Sequence, residues 1–357
     1  MRTGKEDNIT EILKLIAPGT PIRNGLENIL RARTGGLLLI TDNNEVLKEV
    51  VDGGFTINED YSSSKLYELA KMDGAIILSG DFKKILYANA QLIPSYDIST
   101  SETGTRHRTA ERTAKQTGEL VISISQRRNI ITIFKGNDRY VLEDTDAVLS
   151  KANQAIQTLE KYKKVFDSKL NILNEYEFND IVTLQNVIEA IQRAEMVMRI
   201  VDEIQRQIYE LGDDGRLVKM QLEELIGGMD KEETLIIKDY MAKGKKSPEK
   251  IMKKLEELDY EELNKTSVIA KILGYENFDN YDEVGVYTKG YRILSKVPRM
   301  PSNIVENLVD SFKSFQHILA ADIKSLDDVD GIGEVRARTI KQSLKRMQEQ
   351  FLFENLI

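Results

Sequence analysis

The chain has 357 residues, enough for two or three domains, and its 58 Asp and Glu against 50 Lys and Arg give a formal net charge of −8, so no overall positive field attracts it to nucleic acid. It contains no cysteine and only two histidines, His107 and His317, which excludes disulfides, thiolate catalysis and cysteine-bound zinc. A metal site would therefore rely on carboxylates and substrate oxygens, the ligands of Mg²⁺ or Mn²⁺. Neither a signal peptide nor a membrane-length apolar run is recognisable, so we expect a cytoplasmic protein without a membrane partner.

Helical and extended patterns alternate over residues 1–145, as is typical of an α/β domain. Residues 8–33 predict two amphipathic helices separated at Pro18-Gly19, and residues 62–72 predict another helix. A turn at Asp52-Gly53-Gly54 separates two extended pieces. Apolar runs predict further strands at residues 37–40, 75–78, 84–88, 120–125, 129–134 and 140–142. Together they predict a three-layer α/β domain with a mixed sheet.

An Asp-Gly pair, Asp73-Gly74, lies directly before the strand predicted at residues 75–78. An acid at the edge of a sheet can bind a divalent ion or accept a proton from a hydroxyl, and a glycine beside it lets a base or ribose approach the backbone. Asp-Gly is also a common turn sequence, so the pair alone leaves both interpretations open.

Three basic residues, Arg106, His107 and Arg108, occupy the first turn of a predicted helix, with Thr105 as its N-cap and Gly118 just beyond its end. Their positive charge has the same sign as the helix N-terminus, so the pattern favours a bound anion such as a phosphate chain. The alternative is a solvated turn whose arginines pair with Glu102 and Glu111. No Walker A or Rossmann glycine pattern is present, so the common nucleotide-binding folds do not explain this pattern.

From residue 146 to about residue 241 the sequence is almost wholly helical. One apolar stripe comprises Ala155, Leu159, Tyr162 and Phe166. We interpret residues 146–288 as a helical spine or linker domain that carries no catalytic pocket. A coiled-coil surface for a partner is the alternative.

Residues 289–357 form the basic end of the chain, with 11 Lys and Arg against nine Asp and Glu. Two predicted helices flank a Gly-Ile-Gly hairpin, which resembles the helix-hairpin-helix motif of DNA-repair proteins; an ordinary helical hairpin is the alternative. An earlier degenerate copy carries Arg299 and Pro301 in place of the glycines, and we expect it to pack and not to bind. The predicted DNA contacts are Gly331, Ile332, Gly333, Arg336, Arg338 and Lys341.

Asp73-Gly74-Ala75 together with Gly104-Thr105-Arg106-His107-Arg108 resembles the paired signature of the diadenylate cyclase family. The order of α/β domain, helical spine and helix-hairpin-helix end is similar to that of the DNA-integrity-scanning members of this family. The resemblance implies that two ATP condense into cyclic di-adenylate with release of two pyrophosphates. It also implies a ring-shaped homo-oligomer, an octamer, and sequence-independent binding of branched DNA that lowers synthesis in a nucleoid-associated protein.

The same resemblance implies roles for individual residues. Asp73 would bind the metal and activate the 3′-hydroxyl, and it would share the catalytic work with Arg106, His107 and Arg108. His107 is expected to donate a hydrogen bond to phosphate. The implied nucleotide contacts are Gly74, Leu92, Thr105, Arg106, His107, Arg108, Thr109 and Ser125.

A symmetric cyclic product requires each ATP to offer its 3′-hydroxyl to the α-phosphate of the other. Two identical half-sites that face each other across a two-fold axis satisfy this requirement, so the oligomer is expected to be part of the mechanism. Two other functions compete with the enzyme. One is a DNA-structure-binding repair protein whose α/β domain only senses nucleotide, and the other is a scaffold whose helices assemble a repair complex.

Overall fold

The computed structural model describes residues 8–242, 244, 247–276 and 278–354. The chain divides into two compact units. The first comprises the chain up to Gln154 together with Ile204–Gln221, and the second comprises Ala155–Glu203 and the chain from Leu222 onward. The domain boundary predicted at residue 288 lies within the second unit.

The first unit contains the alternating helices and strands. In chain order they are α1 Asn8–Leu15, α2 Pro21–Arg31, β1 Gly36–Ile40, α3 Asn44–Val50, β2 Val51–Asp52, β3 Phe55–Asp60, α4 Ser63–Leu69, β4 Ala75–Leu78, β5 Lys84–Leu92, α5 Thr105–Thr117, β6 Leu120–Ser125, β7 Ile130–Lys135 and β8 Asp138–Leu142. One prediction was wrong here: most of the piece before Asp52 is helix α3, not extended chain. Asn43 caps this helix by accepting a hydrogen bond from the Glu45 N–H, and Val46 and Val50 turn inward with helical spacing.

The strands form one mixed sheet in the order β2-β5-β4-β1-β6-β7-β8, with β3 also paired to β5. Strands β1 and β4 are parallel, and the other pairs are antiparallel. Side chains of β1 alternate between the two faces because successive residues of a strand point to opposite sides. Leu38 and Ile40 join the apolar cluster that contains α1, α2 and α4, while Leu37 and Leu39 join the cluster that contains α3 and α5. The predicted three-layer arrangement is confirmed.

The second unit is helical among the residues described. The helices that follow β8 in the chain are α6 Thr145–Asn179, α7 Leu184–Leu211, α8 Arg216–Ile226, α9 Met229–Tyr240, α10 Pro248–Glu256, α11 Tyr260–Leu263, α12 Thr266–Leu273, α13 Tyr291–Ser295, α14 Ser302–Phe312, α15 Phe315–Ala320, α16 Ile323–Asp327 and α17 Glu334–Glu354. Parts of α6, α7 and α8 belong to the first unit. No helix in the described ranges is long and apolar enough to cross a membrane.

A buried polar network ties α13 into the second unit. Arg292 is fully buried and forms an ion pair with Glu177 of α6, and its Nη1 lies 3.3 Å from Glu232 of α9. Asp239 caps α13 by accepting hydrogen bonds from the N–H groups of Gly290, Tyr291 and Arg292 at 2.7–3.0 Å. Removing one member of such a network leaves a buried charge without compensation.

The Gly-Ile-Gly hairpin lies between α16 and α17, on an apolar cluster shared with the degenerate copy. Val329, Ala337 and Ile340 of the hairpin segment are buried in this cluster together with Val297, Val305 and Leu308 of the copy. The two copies therefore pack on one core, as expected for a copy that has lost its glycines.

Candidate functional site

Strand register brings the ends of four central strands to one edge of the sheet. Because β1 and β4 are parallel, with Leu38 opposite Ile76, their N-terminal ends lie side by side. Because β5 and β6 run the other way, with Ala90 opposite Ala75 and Ile124 opposite Gly36, their C-terminal ends lie at this same edge. We call it the site edge.

Four of the predicted site residues lie at the site edge. Asp73 and Gly74 immediately precede β4, Leu92 ends β5 and Ser125 ends β6. Gly74 has φ +91°, and a Cβ built on it would fall 2.7 Å from the carbonyl oxygen of Ala90. Only glycine is compatible with this conformation and this close approach, which lets the chain turn so that the Asp73 side chain is fully exposed.

Arg106 joins the second motif to the first. Its Nη2 lies 4.0 Å from Oδ1 of Asp73, and its guanidinium lies over Gly35, directly before β1. The arginine side chain is 39% exposed, so part of its hydrogen-bonding surface faces solvent at the site edge. A carboxylate and a guanidinium that the sequence separates widely therefore meet in the structure.

Helix α5 starts at this edge without a side-chain cap. The helix begins at Thr105, and Gly104, with φ +93°, holds the N-cap position, so the prediction of Thr105 as N-cap was wrong. No described side chain accepts a hydrogen bond at this cap, which leaves the N–H groups of the first turn available to an anion. At the other end, Gly118 lies just beyond the helix as predicted, and it adopts the left-handed conformation with φ +72°.

The acidic neighbours do not neutralise the two arginines. Glu102 forms ion pairs with Arg139 and Arg128, and Glu111 forms one with Lys115. The interpretation of a turn in which these acids pair with Arg106 and Arg108 was therefore wrong. Arg108 is exposed, Thr105 is exposed and Thr109 is half-buried.

His107 lies in the core, not at the exposed edge. Its Nδ1 is 3.1 Å from Oγ of Ser123, and its Nε2 is 3.3 Å from Oγ1 of Thr132. Burial lowers the pKa of the imidazole, with further lowering from Arg128 and Arg139 against the opposing effect of Glu102. A neutral ring donates through one nitrogen and accepts through the other, so these hydroxyls use both. The structure does not place the ring where the expected hydrogen bond to phosphate requires it.

Leu92 and Ser125 also have contacts within the protein. Leu92 is 7% exposed and belongs to the apolar cluster that includes Val50, Ala75 and Ala90. The hydroxyl of Ser125 accepts a hydrogen bond of 3.2 Å from the N–H of Arg128. Leu92 therefore contributes an apolar floor at the site edge, and Ser125 shapes the turn between β6 and β7.

The residues at the site edge fit a metal that arrives with a phosphate chain. Within the described ranges, no group of three or more His, Asp or Glu side chains is placed to hold a metal ion. Mg²⁺ commonly takes one or two carboxylates and completes its coordination with water and substrate phosphates. The exposed carboxylate of Asp73 is suited to that arrangement.

The predicted DNA-contact residues lie together around the hairpin, and their side chains already have partners or are buried. Arg336 donates a hydrogen bond to the Gly331 carbonyl, Arg338 pairs with Glu334 at 2.5 Å, and Lys341 donates to the Leu319 carbonyl at 2.8 Å. The Ile332 side chain is 5% exposed and belongs to the core. The hairpin presents its backbone to solvent at Gly331 and Gly333, which are both exposed, and the Arg338 side chain is 61% exposed despite its ion pair.

Sequence reasoning missed two residues that shape the site edge. Gly35, which follows the helices predicted at residues 8–33, carried no predicted role, although it makes room for Arg106. Glu102 was considered only as a partner for the arginines of α5. No local pattern identified Arg128 and Arg139, the residues that Glu102 binds.

Comparison with known proteins places two successive segments of the chain in one family. Residues 23–139 match the family described as DisA bacterial checkpoint controller nucleotide-binding, and residues 142–281 match the DisA bacterial checkpoint controller linker region. The DNA integrity scanning protein DisA of Clostridioides difficile (strain 630) is 56% identical over 350 residues, 98% of each chain. That of Acetivibrio thermocellus is 54% identical over 351 residues, 98% of this chain and 97% of the relative. A solved structure of DacA from Staphylococcus aureus is 22% identical, covers 38% of this chain and 88% of its own, and has a TM-score of 0.29.

Proposed function

The chain belongs to the family of the DNA integrity scanning protein DisA, and we propose that it is a diadenylate cyclase that condenses two ATP into cyclic di-AMP and releases two pyrophosphates. The observation that carries the proposal is the meeting of Asp73 and Arg106, 4.0 Å apart, at the uncapped start of α5. A carboxylate for the attacking hydroxyl and donors for the phosphate chain that is attacked are thus side by side.

The phosphate chain is held by the first-turn N–H groups of α5 and by the guanidinium groups of Arg106 and Arg108. Arginine suits this role because its planar fork binds two phosphate oxygens together and stays charged. Thr105, Thr109 and Ser125 lie close to this turn or strand end and would add hydroxyl contacts, while Gly74 and Leu92 border the adenosine.

Asp73 accepts the proton of the attacking 3′-hydroxyl and would also be the protein ligand of a Mg²⁺ or Mn²⁺ ion. When bound, such an ion neutralises charge on the phosphates and polarises the phosphoryl oxygens. Removal of the proton makes the 3′ oxygen a better nucleophile for the α-phosphate. As the new bond forms, the bond between the α-phosphorus and the oxygen that bridges to the β-phosphate breaks and pyrophosphate leaves.

The reaction requires a second copy of the site. Each ATP supplies both a 3′-hydroxyl and an α-phosphate, so two half-sites must face each other for both bonds to form. The full exposure of the Asp73 side chain is consistent with a carboxylate that acts on the nucleotide of a facing protomer. We propose a homo-oligomer, an octamer, as the active form.

His107 acts from within the core, according to this proposal. Its hydrogen bonds to Ser123 of β6 and Thr132 of β7 anchor the first turn of α5 on the sheet and so orient the arginines on either side of it. This role replaces the expected hydrogen bond from its ring to phosphate.

We propose that the C-terminal hairpin binds branched DNA and that binding lowers synthesis. The backbone N–H groups at Gly331 and Gly333 would contact a phosphate, and Arg336, Arg338 and Lys341 would add positive charge. Such contacts carry no base information, so affinity should depend strongly on salt and little on sequence. Several hairpins on one oligomer would favour junctions over linear DNA through effective concentration.

The test is mass spectrometry of the product that the purified protein makes from ATP with Mg²⁺ or Mn²⁺. We expect cyclic di-AMP and pyrophosphate in a ratio of one to two. ATP that is bound but recovered unchanged would overturn the proposal and favour the alternative, in which the α/β domain only senses nucleotide.

A further inference from the structure

A loop of residues 93–104 connects β5 to the start of α5 and ends at the site edge; we call it the site loop. Four side chains of α5 hold its first part. Arg112 donates to the Ile98 carbonyl at 2.9 Å and Lys115 to the Ser99 carbonyl at 3.0 Å. Gln116 accepts from the Ser95 N–H at 2.8 Å, and Glu111 accepts from the Ser101 N–H at 3.1 Å.

The last part of the site loop is held by a different anchor, Glu102. The Glu102 side chain is only 5% exposed, although it lies two residues before the exposed Gly104. Its Oε1 accepts a hydrogen bond from Nε of Arg139 on β8, and its Oε2 lies 3.9 Å from Nη1 of Arg128 in the β6–β7 turn. Arg128 also donates to the hydroxyl of Thr103.

The position of Glu102 is unfavourable if only its charge is considered. A carboxylate beside the start of a helix that binds phosphate repels the incoming anion and weakens its binding. Its oxygens are turned away from solvent and occupied by two arginines, so it does not contact a nucleotide. Its contribution must therefore come from the groups that it holds in place.

We propose that Glu102 is a positioning residue for the synthesis described above: by clamping the end of the site loop to Arg139 and Arg128, it sets the position of Gly104 and the direction in which the first turn of α5 presents its N–H groups. The inference rests on the proposed function for its kinetic consequence. Its structural content, an ordered loop end, is independent of that function.

The charge and the positioning of Glu102 make opposite predictions for Glu102→Gln. If the carboxylate acted only through its charge, its removal would leave more positive charge at the site edge and would lower the KM for ATP. If it positions the loop, kcat falls about 10-fold or more and KM for ATP does not decrease, because a loop end without its charge-assisted hydrogen bonds holds the first turn of α5 less often in the productive direction.

The matched variants are Arg139→Gln and Glu119→Gln. Arg139→Gln breaks the same ion pair from the other side and should have the same kinetic effect, while the double variant with Glu102→Gln should be little worse than either single change. Glu119 is a partly buried carboxylate paired with Lys135 and Thr41 at the opposite edge of the sheet, so Glu119→Gln should leave kcat and KM unchanged.

Amide hydrogen exchange of the intact protein separates failure of this inference from failure of the proposed function. In Glu102→Gln, the amides of Ser101 and Glu102, which donate hydrogen bonds to Glu111 and Thr100, should exchange at least about 10-fold faster, while those of residues 110–117 and of β4 remain protected. This result would support the positioning role even if the wild-type protein made no cyclic di-AMP. Unchanged exchange of the Ser101 and Glu102 amides, or a lower KM for ATP, would overturn it.

Discussion

The guanidinium of Arg106 occupies the space that a side chain on Gly35 would need: a Cβ built on this glycine falls 2.1 Å from Nη1 of the arginine. The third-nearest atom, the Ile124 carbonyl oxygen, is 3.4 Å away, so the arginine is the main obstacle to a larger residue. Gly35 lies directly before β1, and its φ is outside the left-handed region that favours glycine. Gly35 is therefore important because its lack of a side chain leaves space for the Arg106 guanidinium.

Gly35→Ala should displace Arg106 while leaving the fold intact, because a flexible side chain can move more easily than backbone. We expect ATP affinity and synthesis to fall about 10-fold or more through loss of a charge-assisted contact to phosphate. The measurements are ATP binding by calorimetry and product formation. The control is Gly36→Ala, whose new methyl would meet Ile124 Cδ1 at an ordinary 3.4 Å. Equal activity of the two variants would show that Arg106 does not bind the nucleotide from this position.

Asp73→Asn keeps the side-chain size and removes the charge that would bind metal and accept the proton. We expect synthesis to fall at least about 100-fold, with the melting temperature and oligomer unchanged because the side chain is fully exposed. Product formation and size-exclusion chromatography with light scattering check both parts. Asp138→Asn, an exposed acid at the turn between β7 and β8, is the matched control. Near-wild-type synthesis by Asp73→Asn would refute the role of Asp73.

His107 should make stability depend on pH. Burial lowers its pKa in the folded protein, so between that value and the ordinary value of about 6.5 the unfolded chain binds more protons. The contribution of His107 to the free energy of unfolding should therefore decrease as pH falls through about 6.5, by at most about 1.4 kcal/mol per pH unit. Urea denaturation of intact protein at pH 7.5, 6.5 and 5.5 measures the slope. His107→Gln should remove the contribution of His107 to the pH dependence of the free energy of unfolding. His317→Gln, a control at an exposed position, should leave that pH dependence as in the wild type. Identical slopes in the two variants would contradict the assignment of this effect to His107.

Gly333→Asp is the sharpest test of the hairpin. A Cβ built on Gly333 meets no described atom within 4 Å, so the variant should fold, whereas Gly331 has φ +80° and Ile304 Cδ1 only 2.4 Å from its Cβ position. The new carboxylate would repel the phosphate, so junction binding should be lost while basal synthesis persists. Mobility shifts on junction and linear DNA, run beside the synthesis assay, measure both. Gly333→Ala should bind nearly as wild type. Unchanged binding by Gly333→Asp would move the DNA site elsewhere.

Arg292→Met should destabilise the second unit by about 3–5 kcal/mol, because it leaves the buried carboxylate of Glu177 without its ion pair. The measurement is chemical denaturation followed by circular dichroism. Lys296→Met removes a cation from the segment after α13, but that side chain is 41% exposed, so the loss should be at most about 1 kcal/mol. Equal losses would show that burial of the ion pair between Arg292 and Glu177 is unimportant.

Deletion of residues 289–357 also removes Arg292, so it should destabilise the second unit as well as remove DNA contacts.

Local patterns in the sequence were sufficient to predict the layered α/β domain and the helical region that follows it. They also identified the two motifs that contain Asp73 and Arg106. Apolar runs such as residues 75–78 and 120–125 predict strands because the spacing of apolar residues is visible within a few neighbouring positions of the chain. Asp73 and Arg106 could be selected in the same way, since an acid before a buried strand and cations at a helix start are visible locally. The position of α3 was missed because Val46 and Val50 lie in a short segment beside a glycine turn.

Contacts between residues far apart in the sequence were decided only by the tertiary structure. The alternation within β1 does not say that β4 and β6 are its neighbours, so the site edge could not be located before the register was known. His107 shares helical spacing with the buried Ala110 and Ala114, a signal of the core that the charges around it obscured. The space between Gly35 and Arg106 and the clamp on Glu102 depend on packing of separate elements, because a side chain's partner is set by which surfaces meet and not by its neighbours in the chain.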